Sequence, residues 1–264
     1  MSAAETLPVI YQDEHLIAIN KPSGLLVHRS EIDRHETRFA LQIIRDQIGQ
    51  RVYPVHRLDK PTSGVLVFAL NPDAARSISS AIETKCIRKT YHAVVRGYAP
   101  ENGHIDHALK EELDKYTDKK AKHDKAPQSA QTNFRRLATI ELPVEIEHYP
   151  QSRYSLVECQ PLTGRKHQIR RHMKHINHPV IGDAKHGRGR HNRYFKSELN
   201  AGRLLLHASQ MQLPHPVSGA LLSLSAAPDD AFLQLLERFD WLGAFSDATD
   251  ELPAWANTTT DDIP

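Results

Sequence analysis

A nine-residue polar segment between two apolar runs constrains this chain more than any other feature. The segment His56–Gly64 lies between residues 52–55 and 65–70, whose composition is typical of buried strands. It carries His56, Arg57 and Asp59 within four residues. Side chains on a short loop between buried strands are held on rigid supports, which favours a functional site. A turn with a surface Arg57–Asp59 pair uses the same residue types, so the pattern alone leaves both interpretations open.

The alternation of apolar and polar residues predicts many short strands and few helices. This pattern is typical of an α+β domain with a mixed, largely antiparallel sheet and flanking helices. Strands are predicted near residues 8–11, 15–20, 52–55, 65–70, 89–97, 132–139, 154–159, 204–207, 211–213 and 221–224. Helices are predicted over 37–48, 71–84, 163–176 and 232–239, the third with Thr163 as its N-cap.

Two segments differ in composition from this domain. Residues 110–125 hold six Lys/Arg and five Asp/Glu, which predicts a charged insertion over 110–128 that leaves the sheet. Between residues 226 and 264, nine acids stand against one arginine. We therefore expect one domain over residues 8–241, followed by an acidic, disordered tail over 242–264.

A concentrated basic segment predicts contact with a polyanion. Residues 163–193 contain nine Lys/Arg and a single acid, Asp183, although the whole chain has a net charge of only +2. A solvated helix face is the alternative, and the charge density makes it the weaker one. The candidate side chains for backbone contact with a nucleic acid are Arg170, Arg171, Lys174, Arg188, Arg190 and Arg193.

Several classes of protein are disfavoured by what the sequence contains. Two cysteines supply neither a disulfide framework nor a four-ligand metal site, and the longest apolar run is too short to cross a bilayer. His172, His175 and His178 have a spacing that could seat a transition metal, but no nearby Cys or acid completes the set. We expect a cytoplasmic protein without a metal, a membrane anchor or an obligatory protein partner.

The literal sequence of the His56–Gly64 segment resembles the signature H-R-L-D-x-x-T-S-G of a pseudouridine synthase family. This family modifies bacterial ribosomal and transfer RNA, and five further blocks match it in the same order along residues 9–239. These blocks are residues 21–28 (K-P-S-G-L-L-V-H), 89–93 (K-T-Y-H-A), 163–170 (T-G-R-K-H-Q-I-R), 181–183 (I-G-D) and 206–216, which begins with L-H-A.

The resemblance implies a role for each residue that matches a family position. Asp59 matches the catalytic aspartate, Tyr91 the active-site tyrosine, and Arg165 the arginine that pairs with the aspartate and keeps it ionised. Arg57 resembles the residue that fills the gap left by an extruded base, with a salt bridge as the alternative. Leu206 is expected to pack under that base, with plain core packing as the alternative. His56 and Thr62, in the same segment, are further candidates for substrate binding. Conversion of uridine to pseudouridine gains no electrons or groups, so no cofactor is expected.

The motifs are shared by ribosomal and transfer RNA enzymes, and two other features favour tRNA. Residues 1–8 leave no room for the small N-terminal RNA-binding domain of many ribosomal RNA members, and the charged insertion and residues 34–49 resemble a tRNA-modifying member. This resemblance implies uridine 65, at the junction of the T-arm and the acceptor stem. A large-subunit ribosomal RNA synthase is the alternative. A non-catalytic RNA-binding protein on the same fold is a second alternative, although pure binding would not need Asp59.

Overall fold

The computed structural model describes residues 5–29, 36–112 and 126–250, which form ten strands and six helices. The strands are β1 (Val9–Gln12), β2 (Leu16–Lys21), β3 (Tyr53–Pro54), β4 (Ser63–Ala69), β5 (Arg88–Arg96), β6 (Asn102–Asp106), β7 (Gln131–Leu142), β8 (Ser152–Pro161), β9 (Leu206–Pro214) and β10 (Leu221–Ser225). The helices are α1 (Ala40–Ile48), α2 (Pro72–Glu83), α3 (Gln168–His175), α4 (Gly189–Glu198), α5 (Asp230–Arg238) and α6 (Leu242–Asp250).

The described strands belong to one sheet with the order β1-β2-β4-β9-β5-β8-β7-β6, in which β3 also pairs with β4 and β10 with β9. Every strand pairing is antiparallel except the one between β4 and β9. The sequence-based prediction of an α+β fold with a mixed, largely antiparallel sheet is therefore confirmed.

The parallel pairing of β4 with β9 joins the two antiparallel halves of the sheet over a very short length. It consists of Ser63 opposite His207 and Gly64 opposite Ala208. Gly64 has a φ of 113°, and a Cβ there would lie 2.1 Å from the carbonyl oxygen of Ala208. Only glycine allows the two backbones to approach this closely. The glycine of the His56–Gly64 segment thus belongs to a strand junction rather than to a simple turn.

Apolar faces of the helices bury the sheet on its flanks. Phe232 and Leu236 of α5 belong to one buried cluster with Tyr154 of β8. Ile44 of α1 lies in a second cluster with Phe68 of β4, and Gly49 ends α1 in the left-handed conformation, as its position after Ile48 predicts. Within the described residues, no helix combines the length and the apolar composition that crossing a bilayer requires.

Three local features differ from what the sequence predicted. The strands predicted at 204–207 and 211–213 are one strand, β9. Ser209, one of two polar residues between them, is buried, and its hydroxyl is hydrogen-bonded to His92 at 2.8 Å. Thr163 does not cap α3, which begins five residues later; its hydroxyl donates to the side-chain oxygen of Gln168 at 2.7 Å. Helix α4 was not predicted at all, because its sequence lacks an apolar repeat.

The chain stays ordered beyond residue 241, contrary to the prediction of a disordered tail from 242. Residues 242–250 form α6, and Phe245 belongs to the same buried cluster as Trp241. The remainder of the predicted tail, residues 251–264, lies outside the described residues. Most of the charged insertion, residues 113–125, also lies outside them, while its two ends meet through the backbone bridge between Leu109 and Gln128.

Candidate active site

A cavity of about 380 Å³ lies where β4 and β9 begin. Its walls come mainly from four parts of the chain that are well separated in sequence. The first part is the loop of residues 56–62, hereafter the Asp59 loop. The others are Lys89 and Tyr91 of β5, residues 163–170, which lead into α3, and Leu206. The cavity therefore exists only when both halves of the sheet are joined.

The Asp59 loop is fixed by hydrogen bonds from the surrounding backbone and from one buried lysine. The amide of Thr62 donates to the carbonyl oxygen of Asp59 at 3.0 Å. The fully buried ammonium of Lys21 donates to the carbonyl oxygens of Lys60, Pro22 and Leu25 at 3.1, 2.9 and 2.8 Å. Burial and then the positive charge of Arg203 lower the pKa of Lys21 to about 7, although the negative charge of Asp59 acts to raise it. The loop that carries Asp59 is thereby held in one conformation.

Asp59 is held by an arginine that is itself fixed by a second carboxylate. Nη1 of Arg170 donates to Oδ2 of Asp59 at 2.9 Å. The same guanidinium donates through Nε and Nη2 to the two carboxylate oxygens of Asp183 at 2.6 and 2.8 Å. Arg170 is only 5% exposed and Asp183 only 2%. A bidentate pair with a buried carboxylate fixes the orientation of the guanidinium, which then presents its remaining edge to Asp59.

The charge states of this network follow from its geometry. Burial alone would lower the pKa of Arg170, but the hydrogen bonds and charges of Asp183 and Asp59 outweigh burial and raise it. Burial would raise the pKa of Asp183, yet hydrogen bonds from Arg170 and from the amides of His186 and Lys185 lower it. Both groups are therefore ionised at neutral pH, and a permanent positive charge lies beside Asp59.

The predicted pairing of Arg165 with Asp59 is wrong, and Arg170, which was predicted to contact an RNA backbone, is buried and pairs with Asp59 and Asp183 instead. Arg165 is exposed at the cavity wall, and its Nε donates to the carbonyl oxygen of Ser129 at 3.1 Å. Because α3 begins at Gln168, Arg165 lies in the turn before the helix, whereas Arg170 lies in the first turn of the helix. Two arginines five residues apart in one motif could not be told apart before the start of α3 was known.

Tyr91 and Leu206 form the apolar part of the wall, as expected for a surface that receives a base. Leu206 is 3% exposed, and Tyr91 is half-buried on β5. Burial, and then the negative charge of Asp59, raise the pKa of the Tyr91 hydroxyl. The hydroxyl therefore keeps its proton at neutral pH.

The remaining candidates in the Asp59 loop lie around the same cavity. Arg57 is exposed, and Thr62 is almost fully buried. The Nε2 atom of His56 accepts a hydrogen bond from the amide of Val67 at 3.0 Å, and burial lowers the pKa of His56 to about 3. The ring is therefore neutral, with its proton on Nδ1.

The basic candidates outside the cavity divide into exposed and engaged residues. Lys174, Arg188, Arg190 and Arg193 are exposed on α3, on α4 or at its N-terminus. Arg171 is partly buried, with Nε 3.8 Å from Oε1 of Glu112. Four of the six side chains predicted to meet an RNA backbone are therefore accessible to a polyanion.

The histidines that could hold a metal make other contacts. In the predicted trio, His172 bonds the hydroxyl of Thr132 at 2.9 Å, His175 stacks on His107, and His178 bonds the carbonyl oxygen of Arg96 at 2.9 Å. These partners keep the three side chains apart from a common centre.

A different group of three, Glu112, His167 and His186, has ligand atoms within 4.8 Å of one another. The carboxylate of Glu112 is already paired with Nζ of Lys185 at 2.5 Å, and the two imidazoles bond each other at 3.0 Å. This group therefore has its own ionic and hydrogen-bonding partners, all from the protein.

Sequence reasoning missed three residues around Asp59. Lys21 was part of a matched block but received no role, and His167 lies with Nε2 3.9 Å from Oδ2 of Asp59. Asp183 had a visible signal, because it is the single acid among nine basic residues in 163–193. A lone acid in a basic segment indicates a partner for one of the arginines.

Comparisons with known proteins identify the family to which the chain belongs. Residues 15–175 match the family model described as RNA pseudouridylate synthase. A Yersinia pestis protein named tRNA pseudouridine synthase C is 55% identical over 90% of this chain and 92% of its own length. A protein of the same name from Pectobacterium carotovorum is 57% identical over 92% of this chain, which spans 65% of that longer protein.

Solved structures show the same fold. Human RNA pseudouridylate synthase domain containing 4 superposes with a TM-score of 0.67 at 25% identity, covering 88% of this chain and 93% of that one. Human RNA pseudouridylate synthase domain containing 1 gives 0.68 at 23% identity, covering 96% and 98%. The family model covers more than half of the chain and includes Asp59, Tyr91 and Arg170, and the chain therefore belongs to the RNA pseudouridylate synthase family.

Proposed function

We propose that this protein isomerises a uridine of tRNA to pseudouridine, with Asp59 as the group that acts on the ribose. The observation that carries the proposal is the Asp59 carboxylate, which accepts a hydrogen bond from Arg170 at 2.9 Å inside a cavity with Tyr91 and Leu206 on its walls. The names of the relatives from Yersinia pestis and Pectobacterium carotovorum support tRNA as the substrate. The finer proposal, uridine 65, rests on the same resemblance.

The reaction needs an anionic group and an enclosed space for a detached base. The N1–C1′ bond breaks, the uracil turns in place, a C5–C1′ bond forms, C5 loses its proton and N1 gains one. A carboxylate can add to C1′ or stabilise the positive charge that develops there, and Asp59 would do either beside the fixed charge of Arg170. Since the product is an isomer of the substrate, no oxidant, reductant or group donor enters the reaction.

The target nucleotide must leave the RNA stack to reach Asp59. We propose that its uracil lies against Tyr91 and Leu206, and that Arg57, exposed at the cavity, occupies the space that the base leaves. His56 and Thr62 would contact the substrate from the Asp59 loop. The RNA backbone would contact four exposed basic side chains, Lys174, Arg188, Arg190 and Arg193. Cytoplasmic localisation of the protein stays a prediction.

The direct test is to supply the purified protein with defined RNAs. Pseudouridine should form in a tRNA transcript with a uridine at position 65, and should not form when that nucleotide is cytidine or when the Asp59→Asn variant is used. A large-subunit ribosomal RNA fragment serves as the competing substrate. Modification of the ribosomal fragment alone would reject tRNA as the substrate. RNA binding without modification of either RNA would reject catalysis and favour a non-catalytic RNA-binding protein.

A further inference from the structure

The carboxylate of Glu112, near the start of the charged insertion, lies among basic side chains at the edge of the cavity. Nζ of Lys185 donates to its Oε2 at 2.5 Å, and Nε of Arg171 lies 3.8 Å from its Oε1. Two imidazoles complete the surroundings, with Nδ1 of His167 at 3.6 Å and Nε2 of His186 at 3.9 Å. We call Glu112 and these four side chains the Glu112 cluster. Because His167 also lines the cavity, the cluster forms part of its edge.

The Glu112 cluster is built on the same carboxylate that orients Arg170. Oδ1 of Asp183 accepts hydrogen bonds from the backbone amides of Lys185 and His186, each at 2.9 Å. The same atom accepts from Nη2 of Arg170 at 2.8 Å. The turn that supplies two basic members of the cluster is therefore fixed relative to the charge network of the cavity.

His167 places the cluster next to Asp59. Its Nε2 lies 3.9 Å from Oδ2 of Asp59, while its Nδ1 faces the carboxylate of Glu112 at 3.6 Å. One imidazole ring thus separates the two carboxylates. An anion in the place of the Glu112 carboxylate would be a near neighbour of a ribose whose C1′ lies at Asp59. The nearest anions of an RNA to that ribose are the phosphodiesters on either side of its nucleotide.

The positive charges of the cluster outnumber its negative charge. Burial would raise the pKa of Glu112, but the hydrogen bond and charge of Lys185, followed by the charges of His186 and Arg171, lower it. Burial lowers the pKa of both imidazoles, so the positive charge of the cluster at neutral pH comes from Lys185 and Arg171. One ionised carboxylate therefore faces two cations.

The pairing of Glu112 is incomplete and open to exchange. The side chain of Lys185 is 54% exposed, and exposed ion pairs contribute little to stability. The 3.8 Å approach of Arg171 to Glu112 is too long for a hydrogen bond, and its guanidinium forms none with the other described residues. A guanidinium presents its donors in a fork that matches the oxygens of a phosphate. The cluster can thus accept a phosphate in exchange for the carboxylate.

We propose that the Glu112 carboxylate occupies, in the free protein, the place of one phosphodiester of the RNA, which must displace it from Lys185 and Arg171. This inference rests on the proposed RNA substrate and adds a selection step to its binding. An RNA that other basic residues also hold delivers its phosphate at a high effective concentration and overcomes the competition. An RNA that fits only part of the surface does not, so Glu112 favours the complete fit.

The test is a double-mutant cycle on RNA affinity. Glu112→Gln removes the competing charge and keeps the side-chain shape, and Lys185→Met removes the ammonium for which carboxylate and phosphate compete. Glu141→Gln is the matched control, because Glu141 is ion-paired with Arg153 at 2.6 Å and its substitution changes the net charge equally. Dissociation constants are measured at one fixed salt concentration. The RNA is the tRNA transcript with cytidine at the target position, so that no product forms during the titration.

We expect Glu112→Gln to bind this RNA about fivefold more tightly than the wild type does. In the Lys185→Met background the same change should improve the affinity less than about twofold, because the carboxylate no longer withholds an ammonium. Glu141→Gln should bind like the wild type. An equal gain in both backgrounds would indicate general charge repulsion, and an unchanged or weaker affinity of Glu112→Gln would mean that the carboxylate does not compete. Either result overturns the inference.

Two further measurements keep the inference separate from folding and from the proposed function. The melting temperature of Glu112→Gln should change by no more than about 3 °C, because only an exposed ion pair is lost. A larger decrease would show that Glu112 holds the cluster together and would overturn its displacement by RNA. Pseudouridine formation by the wild type in the uridine transcript reports on the proposed function alone. A missing product with a non-additive cycle would reject catalysis and keep the inference, whereas product formation with an additive cycle would do the reverse.

Discussion

The two ends of the cavity differ in how their charged side chains are paired. At one end Asp59, Arg170 and Asp183 form a closed network in which each charge has a partner within 3 Å. At the other end, Lys89 on β5 is only partly buried and makes no hydrogen bond or ion pair with the described residues. In the proposed reaction, the Asp59 end is therefore organised before substrate arrives, whereas no such network fixes Lys89 among the described residues.

The largest expected effect comes from removing the charge at the paired end. Asp59→Asn keeps the shape of the side chain but cannot act as an anion, so turnover should fall about 10³-fold or more, while fold and RNA affinity stay nearly unchanged. Single-turnover assays measure the turnover, and binding titrations measure the RNA affinity. Residual turnover within tenfold of the wild type would show that the organised end is not the reacting end.

Loss of the central arginine should affect both stability and catalysis. Arg170→Met leaves two carboxylates without their partner, and we expect a loss of about 3 kcal/mol in the free energy of unfolding together with inactivation. Arg165→Met is the matched control, because Arg165 is exposed and forms no ion pair among the described residues. Denaturant titrations compare the two variants. Equal stability losses would contradict the assignment of Arg170 as the partner of Asp59.

A moderate effect is expected from basic residues outside the cavity. Replacing Arg188, Arg190 and Arg193 together by Ala should lower the log–log salt slope of RNA binding by about 0.7–0.9 for each phosphate that is no longer neutralised. The rate at saturating RNA should stay the same, because none of the three lines the cavity. Arg45→Ala, an exposed arginine of α1, is the control. An unchanged slope in the triple variant would assign the RNA surface to another part of the protein.

The smallest effect is expected from chelators. Glu112, His167 and His186 lie beside the paired end, yet Lys185 and the contact between the two imidazoles already satisfy them. EDTA should therefore leave the rate of pseudouridine formation unchanged. A rate that falls with EDTA and returns with zinc would mean that the paired end depends on a metal as well as on Arg170.

Much of the fold was predictable because local signals agreed with tertiary structure. The antiparallel pairing of β1 with β2, the start of α2 at Pro72 after Asn71, and the end of α1 at Gly49 all follow from residues within a few positions. Helix α4 and the continuity of β9 were not predictable, because they depend on buried polar contacts. Tyr154 with His191 and His92 with Ser209 are such pairs, and each joins residues far apart in sequence.

The site was predictable in its residue types but not in its connections. The literal motif identified Asp59, and the structure assigns its partner as Arg170 rather than Arg165, because the choice depends on where α3 begins. Lys89 stood in a recognised block with Tyr91, but nothing in the sequence indicated that its ammonium makes no hydrogen bond or ion pair with the described residues. Such an absence is a property of the folded surroundings.

The short junction at Gly64 has a consequence for the order in which the molecule assembles. Ser63 and His207, which meet there, are 144 positions apart in the chain, so their contact closes a very long loop. Strands β1, β2 and β4, with α1 and α2, make contacts over much shorter separations and can form earlier. We therefore expect the cavity to be among the last parts of the protein to form during folding. A partly folded or nascent chain would then carry every catalytic residue and still be unable to modify RNA.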